Sequence, residues 1–509
     1  MAKNLARSIY ASQDKPIEGI IKGTIPQWIN GTLFRNGPGR FRFGEKVYNH
    51  LFDGMAVVNK FQISNGKVFF TNKILETNSL EKTIKTNKLE TMFGSTDPCS
   101  KFFDRFKAVF KSRPENDNVN VNVLPFANNQ LYALTETSMV VRLDPKNLNV
   151  LSRANLAKYI KPTISTIAHP QIEDDGSWIS VGMQPKGRNI SYDVLKFQAK
   201  DVENACESLK LIAQIPSSHR FGLSYFHSIG LSKNYIIFLE QSLVLDIKKI
   251  LWNIVTNKPF STALKMNKKF QTQIHLVDRK TGKILPQKFF TDPQFSFHHI
   301  NAFETNEDDA SKNELLIDIC SYSAEGFHIE SFNYDENDEE QALKFFEKSR
   351  AEPRRIRVPL GQKKANNEAI YCEIKNMANG ISMELPTINY FKYNAKHYDY
   401  AYGLGSIKPP YSVIKLNVNN YNDYKQAVIK TDNRVIVPSE PVFVERPDAK
   451  SEDDGVVLTM VLGDKYDSLV VLDAKTLEEI GRAELPEEVK ATFSFHGFFA
   501  DNKGFKELN

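Results

Sequence analysis

The sequence predicts an all-β fold, a β-propeller enlarged by insertions, and three observations carry that expectation. First, one hairpin pattern recurs: an apolar strand, an Asp or Asn turn carrying Lys or Asn, then a second strand. It reads Val140-Val-Arg-Leu-Asp144-Pro-Lys-Asn-Leu, Ile274-His-Leu-Val-Asp278-Arg-Lys-Thr-Gly, Val413-Ile-Lys-Leu-Asn417-Val-Asn-Asn and Leu469-Val-Val-Leu-Asp473-Ala-Lys-Thr-Leu. Second, these turn residues are separated by 134, 139 and 56 positions, close to two, two and one steps of about 65 residues, the size of an enlarged four-stranded blade. Third, polar residues in apolar surroundings keep phase with the turns: His169 lies 25 residues after Asp144, His298 20 after Asp278, Glu440 23 after Asn417 and His496 23 after Asp473. A chain of 509 residues then has room for seven blades of roughly 66 residues plus insertions. Unrelated hairpins in an all-β protein are the competing reading of the turns alone, and the shared phase is what separates the two.

Equivalent strands of successive blades face one axis, so residues far apart in sequence meet there. Four imidazole settings are apolar: Ile167-Ala-His169-Pro, Tyr225-Phe-His227-Ser-Ile, Phe295-Ser-Phe-His-His-Ile300 and Phe493-Ser-Phe-His496-Gly-Phe-Phe. A buried imidazole without a partner is costly, and one shared metal ion would satisfy all four. Imidazole suits zinc, copper, iron and nickel alike, so ligand type leaves the ion open. Metal-bound histidines usually donate their second N–H to a carboxylate or carbonyl. Glu136, Glu384 and Glu440 stand in partly apolar strand-like settings suited to that task; a surface or hydrogen-bonded glutamate is the ordinary reading of any one alone.

Composition narrows the function classes. The net charge is only +5, and no Lys/Arg block interleaves with aromatics, which sets nucleic acid aside. Cys99, Cys206, Cys320 and Cys372 form no C-x-x-C pair or dense framework, which points to a reduced intracellular setting. The N-terminus lacks an apolar signal core, and no stretch approaches the roughly 20 apolar residues of a membrane span. A soluble or peripherally membrane-bound protein is expected. Residues 99–111 put Phe102, Phe103, Phe106 and Phe110 at near-helical spacing among basic residues, and 243–256 do the same around Trp252. Each reads as a core-packed helix or as a basic amphipathic helix on a membrane surface. The acidic segment 334–341 reads as a solvated loop.

The motifs Gly31-Thr-Leu-Phe-Arg-Asn-Gly-Pro-Gly39, Asn49-His-Leu-Phe-Asp-Gly-Met-Ala56, Ala168-His-Pro170, Tyr225-Phe-His-Ser-Ile-Gly230, Phe297-His-His-Ile-Asn-Ala302, Glu384-Leu-Pro-Thr-Ile-Asn-Tyr390, Ser439-Glu-Pro441, Glu452-Asp-Asp-Gly-Val-Val457 and Phe495-His-Gly497 resemble those of the carotenoid cleavage oxygenases. The likeness runs from near residue 15 to residue 500. It is strongest to the animal branch of carotene oxygenases, the isomerising oxygenase of insects and the retinyl ester isomerase, through Asp97-Pro-Cys99 ahead of the Phe-rich segment and Tyr400-Ala-Tyr-Gly-Leu-Gly405.

The resemblance implies one seven-bladed propeller domain over residues 1–509, with a helical and loop cap over an axial metal and membrane-facing insertions near 99–115 and 241–265. It implies Fe(2+) held by His169, His227, His298 and His496, oriented by Glu136, Glu384 and Glu440. His298 is preferred to His299 because the family's ligand follows the Phe of a Phe-His motif. His50, with Asp53 and Gly54, is read as turn architecture, and His219, His275, His328 and His397 match no ligand motif. The implied activity is O2-dependent cleavage of a conjugated C=C bond of a carotenoid, of the β-carotene 15,15′ type, giving apocarotenoid or retinal aldehydes, with trans–cis isomerisation as a coupled option. No side-chain nucleophile is required, and 35 Phe and 19 Tyr accord with an apolar tunnel. Two alternatives stand beside it: a retinoid isomerohydrolase acting on all-trans retinyl esters, and a non-catalytic carotenoid-binding propeller, against which the four histidines speak. A cytoplasmic protein attached peripherally to intracellular membranes is expected, with Cys99 either acylated or a free buried thiol.

Overall fold

The computed structural model describes residues 2–89, 93–94, 116–127, 130–160, 165–186, 189–199, 205–219, 222–306, 309, 311–333, 349–365, 368–406, 411–431 and 434–501. Strands make up 50% and helices 9%, so the fold is predominantly β. Among the described residues, seven sheets have four or five strands, and each is an open path that does not close on itself.

Local chemistry explains the strands. Met55–Ser64 and Lys67–Ile74 pair antiparallel around Asn65-Gly66, both at positive φ (50° and 74°), the Asn-Gly turn that suits the right-handed twist of a hairpin. The four recurrent Asp/Asn turns each link the third and fourth strands of a sheet: Met139–Leu143 to Val150–Asn155, Thr272–Asp278 to Phe289–Thr291, Ser412–Asn417 to Tyr424–Ala427, and Ser468–Asp473 to Glu479–Glu484. In all four the side-chain oxygen accepts a backbone N–H two or three residues on, as from Lys146 (2.8 Å), Thr281 (2.7 Å), Asn419 (3.1 Å) and Lys475 (2.9 Å).

Both faces of these strands are apolar because each sheet packs against two neighbours. Phe34, Ala56 and Val58 meet Val123, Leu131 and Val141 of the next sheet. Leu33, Val57 and Phe61, on the opposite face of the same strands, meet Leu458 and Val471 near the C-terminus. The remaining clusters continue the series, each shared by successive sheets. The chain ends close this series twice. The last strand, His496–Asp501, pairs with Gly31–Arg40, and Ile20–Gly23 pairs with Glu479–Glu484.

The helical expectation for 243–256 needs correction. Leu243–Asp246 is a strand, paired with Gly222–Ser224 and Leu264–Met266, and the helix is Ile247–Thr256. Asp246 divides them: its carboxylate accepts the N–H groups of Lys248 (2.9 Å) and Lys249 (3.2 Å), a helix N-cap that the apolar periodicity had run across. Trp252 on this helix is 61% exposed. No described helix is long and apolar enough to cross a membrane. Residues 99–111 with Cys99, and 334–341, lie outside the described residues.

Candidate metal centre

His169, His227, His298 and His496 converge. His169 forms an isolated bridge with Ser228, which follows His227 in the connection between Gly222–Ser224 and Gly230–Leu231. His298 lies in the strand Gln294–Glu304, and His496 opens the final strand. One nitrogen of each ring lies within 4.8 Å of the corresponding nitrogens of the others. Opposed imidazole nitrogens around a first-row ion bonded at about 2.1 Å stand about 4.2 Å apart, so the four rings have the spacing of a single-ion site.

Carboxylates fix three of the rings. Glu136 Oε1 lies 2.5 Å from His227 Nδ1, Glu384 Oε2 2.5 Å from His298 Nδ1, and Glu440 Oε1 2.7 Å from His496 Nδ1. A carboxylate partner assigns the proton to Nδ1 and leaves the Nε2 lone pair free. The Nε2 atoms of His169 and His298 are buried without a hydrogen-bond partner, a costly arrangement for a polar atom unless something else satisfies it. The donor set therefore fits a divalent ion of the imidazole-binding group. Each of the seven larger sheets contributes one of these seven residues, from a strand, from a connection between its strands or from the segment leading into it.

Burial favours the neutral form of two of the rings. Burial, then the neighbouring His496, His227 and His298, hold His169 well below the ordinary histidine range. Burial lowers His496 to about 4, against the opposing pull of Glu440. Burial by itself would raise the Glu440 carboxyl, but His496 and Arg35 outweigh it and hold it below its usual range.

Histidines read as ordinary from the sequence lie elsewhere. His275 Nε2 bonds Glu240 (3.1 Å), and His219 packs against Phe270 with centroids 3.8 Å apart. His50 Nδ1 accepts the Phe52 N–H at 3.2 Å, and the Asp53 carboxylate accepts that of Gly94. His299 Nδ1 lies 2.8 Å from Ser228 Oγ, outside the four-ring group.

Two contributors went unread in the sequence. Tyr225 Oη donates to Glu136 Oε2 at 2.6 Å, and Arg35 Nη1 donates to Glu440 Oε2 at 2.6 Å. The available sequence signal for Arg35 was a cation directly after Leu33-Phe34 in the strand Gly31–Arg40. Beyond the rings lies an aromatic wall. Phe297 stands 5.1 Å from His227 between centroids, and Phe52 packs on Phe332 (4.6 Å) and Phe495 (5.5 Å). Short helical turns, Leu51–Asp53 and Ile329–Phe332, carry two of these side chains.

Residues 7–501 match the family described as retinal pigment epithelial membrane protein. The chain is 31% identical to a β,β-carotene 15,15′-dioxygenase of Rattus norvegicus, over 97% of this chain and 91% of that one. It is also 31% identical to a mitochondrial carotenoid-cleaving dioxygenase of Mustela putorius furo, over 94% and 93%. Its fold matches solved structures of a Synechocystis apocarotenoid oxygenase mutant (TM-score 0.77) and of the cobalt-substituted Synechocystis oxygenase (TM-score 0.78), each at 22% identity and 98% coverage of both chains. With its family match spanning nearly the whole chain and its relatives above 30% identity, the chain belongs to the retinal pigment epithelial membrane protein family, that of the carotenoid cleavage oxygenases.

Proposed function

We propose that this protein is a carotenoid cleavage dioxygenase that uses O2 to split a conjugated C=C bond into two carbonyl products, with Fe(2+) as its metal. The observation that carries the reading is the group of four imidazoles within 4.8 Å, three of them pinned by carboxylates, beside an aromatic wall. The names of the relatives, carotene 15,15′-dioxygenase and carotenoid-cleaving dioxygenase, point to the same substrate class.

His169, His227, His298 and His496 would hold the metal. Ferrous iron bound there would supply the dioxygen chemistry. Glu136, Glu384 and Glu440 keep Nδ1 protonated and Nε2 directed inward. Phe52, Phe297 and Phe332 pack a polyene by apolar contact and keep water from its oxidised carbons. The architecture is one seven-bladed propeller with a cap of short helical turns, supported by seven larger sheets packed in series. Attachment to a membrane surface from the cytoplasmic side is part of the proposal, supported by exposed Trp252 beside Lys248 and Lys249.

Incubation of iron-loaded protein with β-carotene in air, followed by chromatography, tests the reading. Apocarotenoid or retinal aldehydes are expected, and His298→Ala should abolish them. Conversion of all-trans retinyl ester without any carotenoid cleavage would replace the reading with an isomerohydrolase. Pigment uptake without turnover, indifferent to His298→Ala, would replace it with a binding protein.

A further inference from the structure

The three carboxylates behind the histidines are not equivalent. Glu136 meets the neutral hydroxyl of Tyr225 (2.6 Å), and Glu384 Oε2 accepts the backbone N–H of Leu385 (2.8 Å). Among the described residues, Glu440 alone of the three meets a side-chain cation beyond its histidine: Arg35 Nη1 at 2.6 Å. Arg35 is fully buried, and its second terminal nitrogen reaches only backbone carbonyls, of Phe495 (3.2 Å) and Ser494 (3.4 Å). Glu440 Oε2 also accepts the Gly497 N–H at 3.1 Å, so Arg35, Glu440 and His496 form one chain of hydrogen bonds into the ring of imidazoles.

Charge then has a definite balance. Four neutral imidazoles add nothing, and three glutamates bring three negative charges. Arg35 supplies one positive charge, which leaves room for two. A divalent ion makes the assembly neutral; a trivalent ion leaves it with one uncompensated positive charge beside the buried Arg35, Glu440 and His496. In an interior of low effective dielectric, one unpaired charge is expensive.

We infer that Arg35 is a positioning residue that acts through Glu440 to hold the metal in its divalent state, so that removing its charge favours ferric iron. The inference rests on the ferrous reading of the four-histidine site. Oxidation is a one-electron step: Fe(II) passes an electron to ferricyanide, which becomes ferrocyanide, and the site gains one positive charge. Without Arg35 the ferric site is the neutral one. With Arg35 present and Glu440 replaced by glutamine, the ferrous site already carries one positive charge and oxidation adds a second.

The test is a mediated redox titration of the full-length, anaerobically iron-loaded protein, read by the electron paramagnetic resonance signal of high-spin ferric iron. At a fixed potential, Arg35→Met should raise the ferric-to-ferrous ratio at least tenfold, and Glu440→Gln should lower it by a similar factor. The double variant Arg35→Met/Glu440→Gln should return toward wild type, as should Arg35→Lys. A purely structural role for Arg35 predicts instead that the double variant is worse than either single one. Equal ratios in wild type and Glu440→Gln, or shifts of the same sign in both single variants, would overturn the inference while leaving bound iron intact. Glu440→Gln keeps its sign decisive even where Arg35→Met does not fold. Wild-type protein that takes up no iron would overturn the metal reading and this inference with it.

Discussion

At the scale of the residue, a glutamate on Nδ1 orients three of the four converging histidines. Those at 227, 298 and 496 have a glutamate on Nδ1, whereas His50 Nδ1 accepts the backbone N–H of Phe52. Outer partners of metal-bound histidines typically govern about 10–100-fold in metal affinity. Glu384→Gln, which keeps the shape and removes the charge, should therefore weaken iron binding by about that factor, measured by competition with a chelator. His50 serves a different purpose. Burial lowers it from the ordinary 6.5 to about 3, so the folded chain binds fewer protons than the unfolded one between those values. Its contribution is complete above pH 6.5 and is lost as pH falls toward 3, at about 1.4 kcal/mol per pH unit. Urea unfolding at successive pH values should show His50→Asn losing about one proton's worth of that slope.

At the scale of the element, the Asp turns show how local conformation and burial compete. Leu148 and Leu477 adopt positive φ, 62° and 61°, a conformation that costs a non-glycine residue about 1–2 kcal/mol. Both side chains are nonetheless buried, each in a cluster between two sheets, and truncating a buried leucine costs about 2–5 kcal/mol. Burial wins, so Leu477→Gly should destabilise the protein by about 1–3 kcal/mol despite relieving the backbone, as read from the shift in urea midpoint. These turns were legible in the sequence because their chemistry is local: an Asp or Asn whose side chain caps its own next residues. The strands between them were less so, since apolar faces on both sides erase the alternation that marks a half-buried strand. The same blurring merged Leu243–Asp246 with the helix after it, where the cap at Asp246 was the boundary to read.

At the scale of the whole molecule, the first and last segments complete two sheets together, and Arg7 ties the N-terminus to the buried Asp467, to Ala491 O and to Gly463 O. Arg7→Ala strands a buried carboxylate and should cost about 3 kcal/mol in unfolding free energy. Lys268→Ala, which breaks an ion pair with both partners more than half exposed, should leave stability unchanged. Long range also set the limit of reading the site. The four histidines stood out because each sits in an apolar run, and Glu136, Glu384 and Glu440 because they share such settings. Which glutamate meets which histidine, and that Arg35 and Tyr225 stand behind two of them, depends on packing between sheets up to 405 positions apart and is written in no local pattern.

Diffraction at the iron absorption edge from crystals of the anaerobically iron-loaded protein tests the central claim most directly. One anomalous peak is expected, bonded at about 2.1 Å to a ring nitrogen of each of His169, His227, His298 and His496. Iron bound anywhere else, or no peak among the four rings, would contradict it.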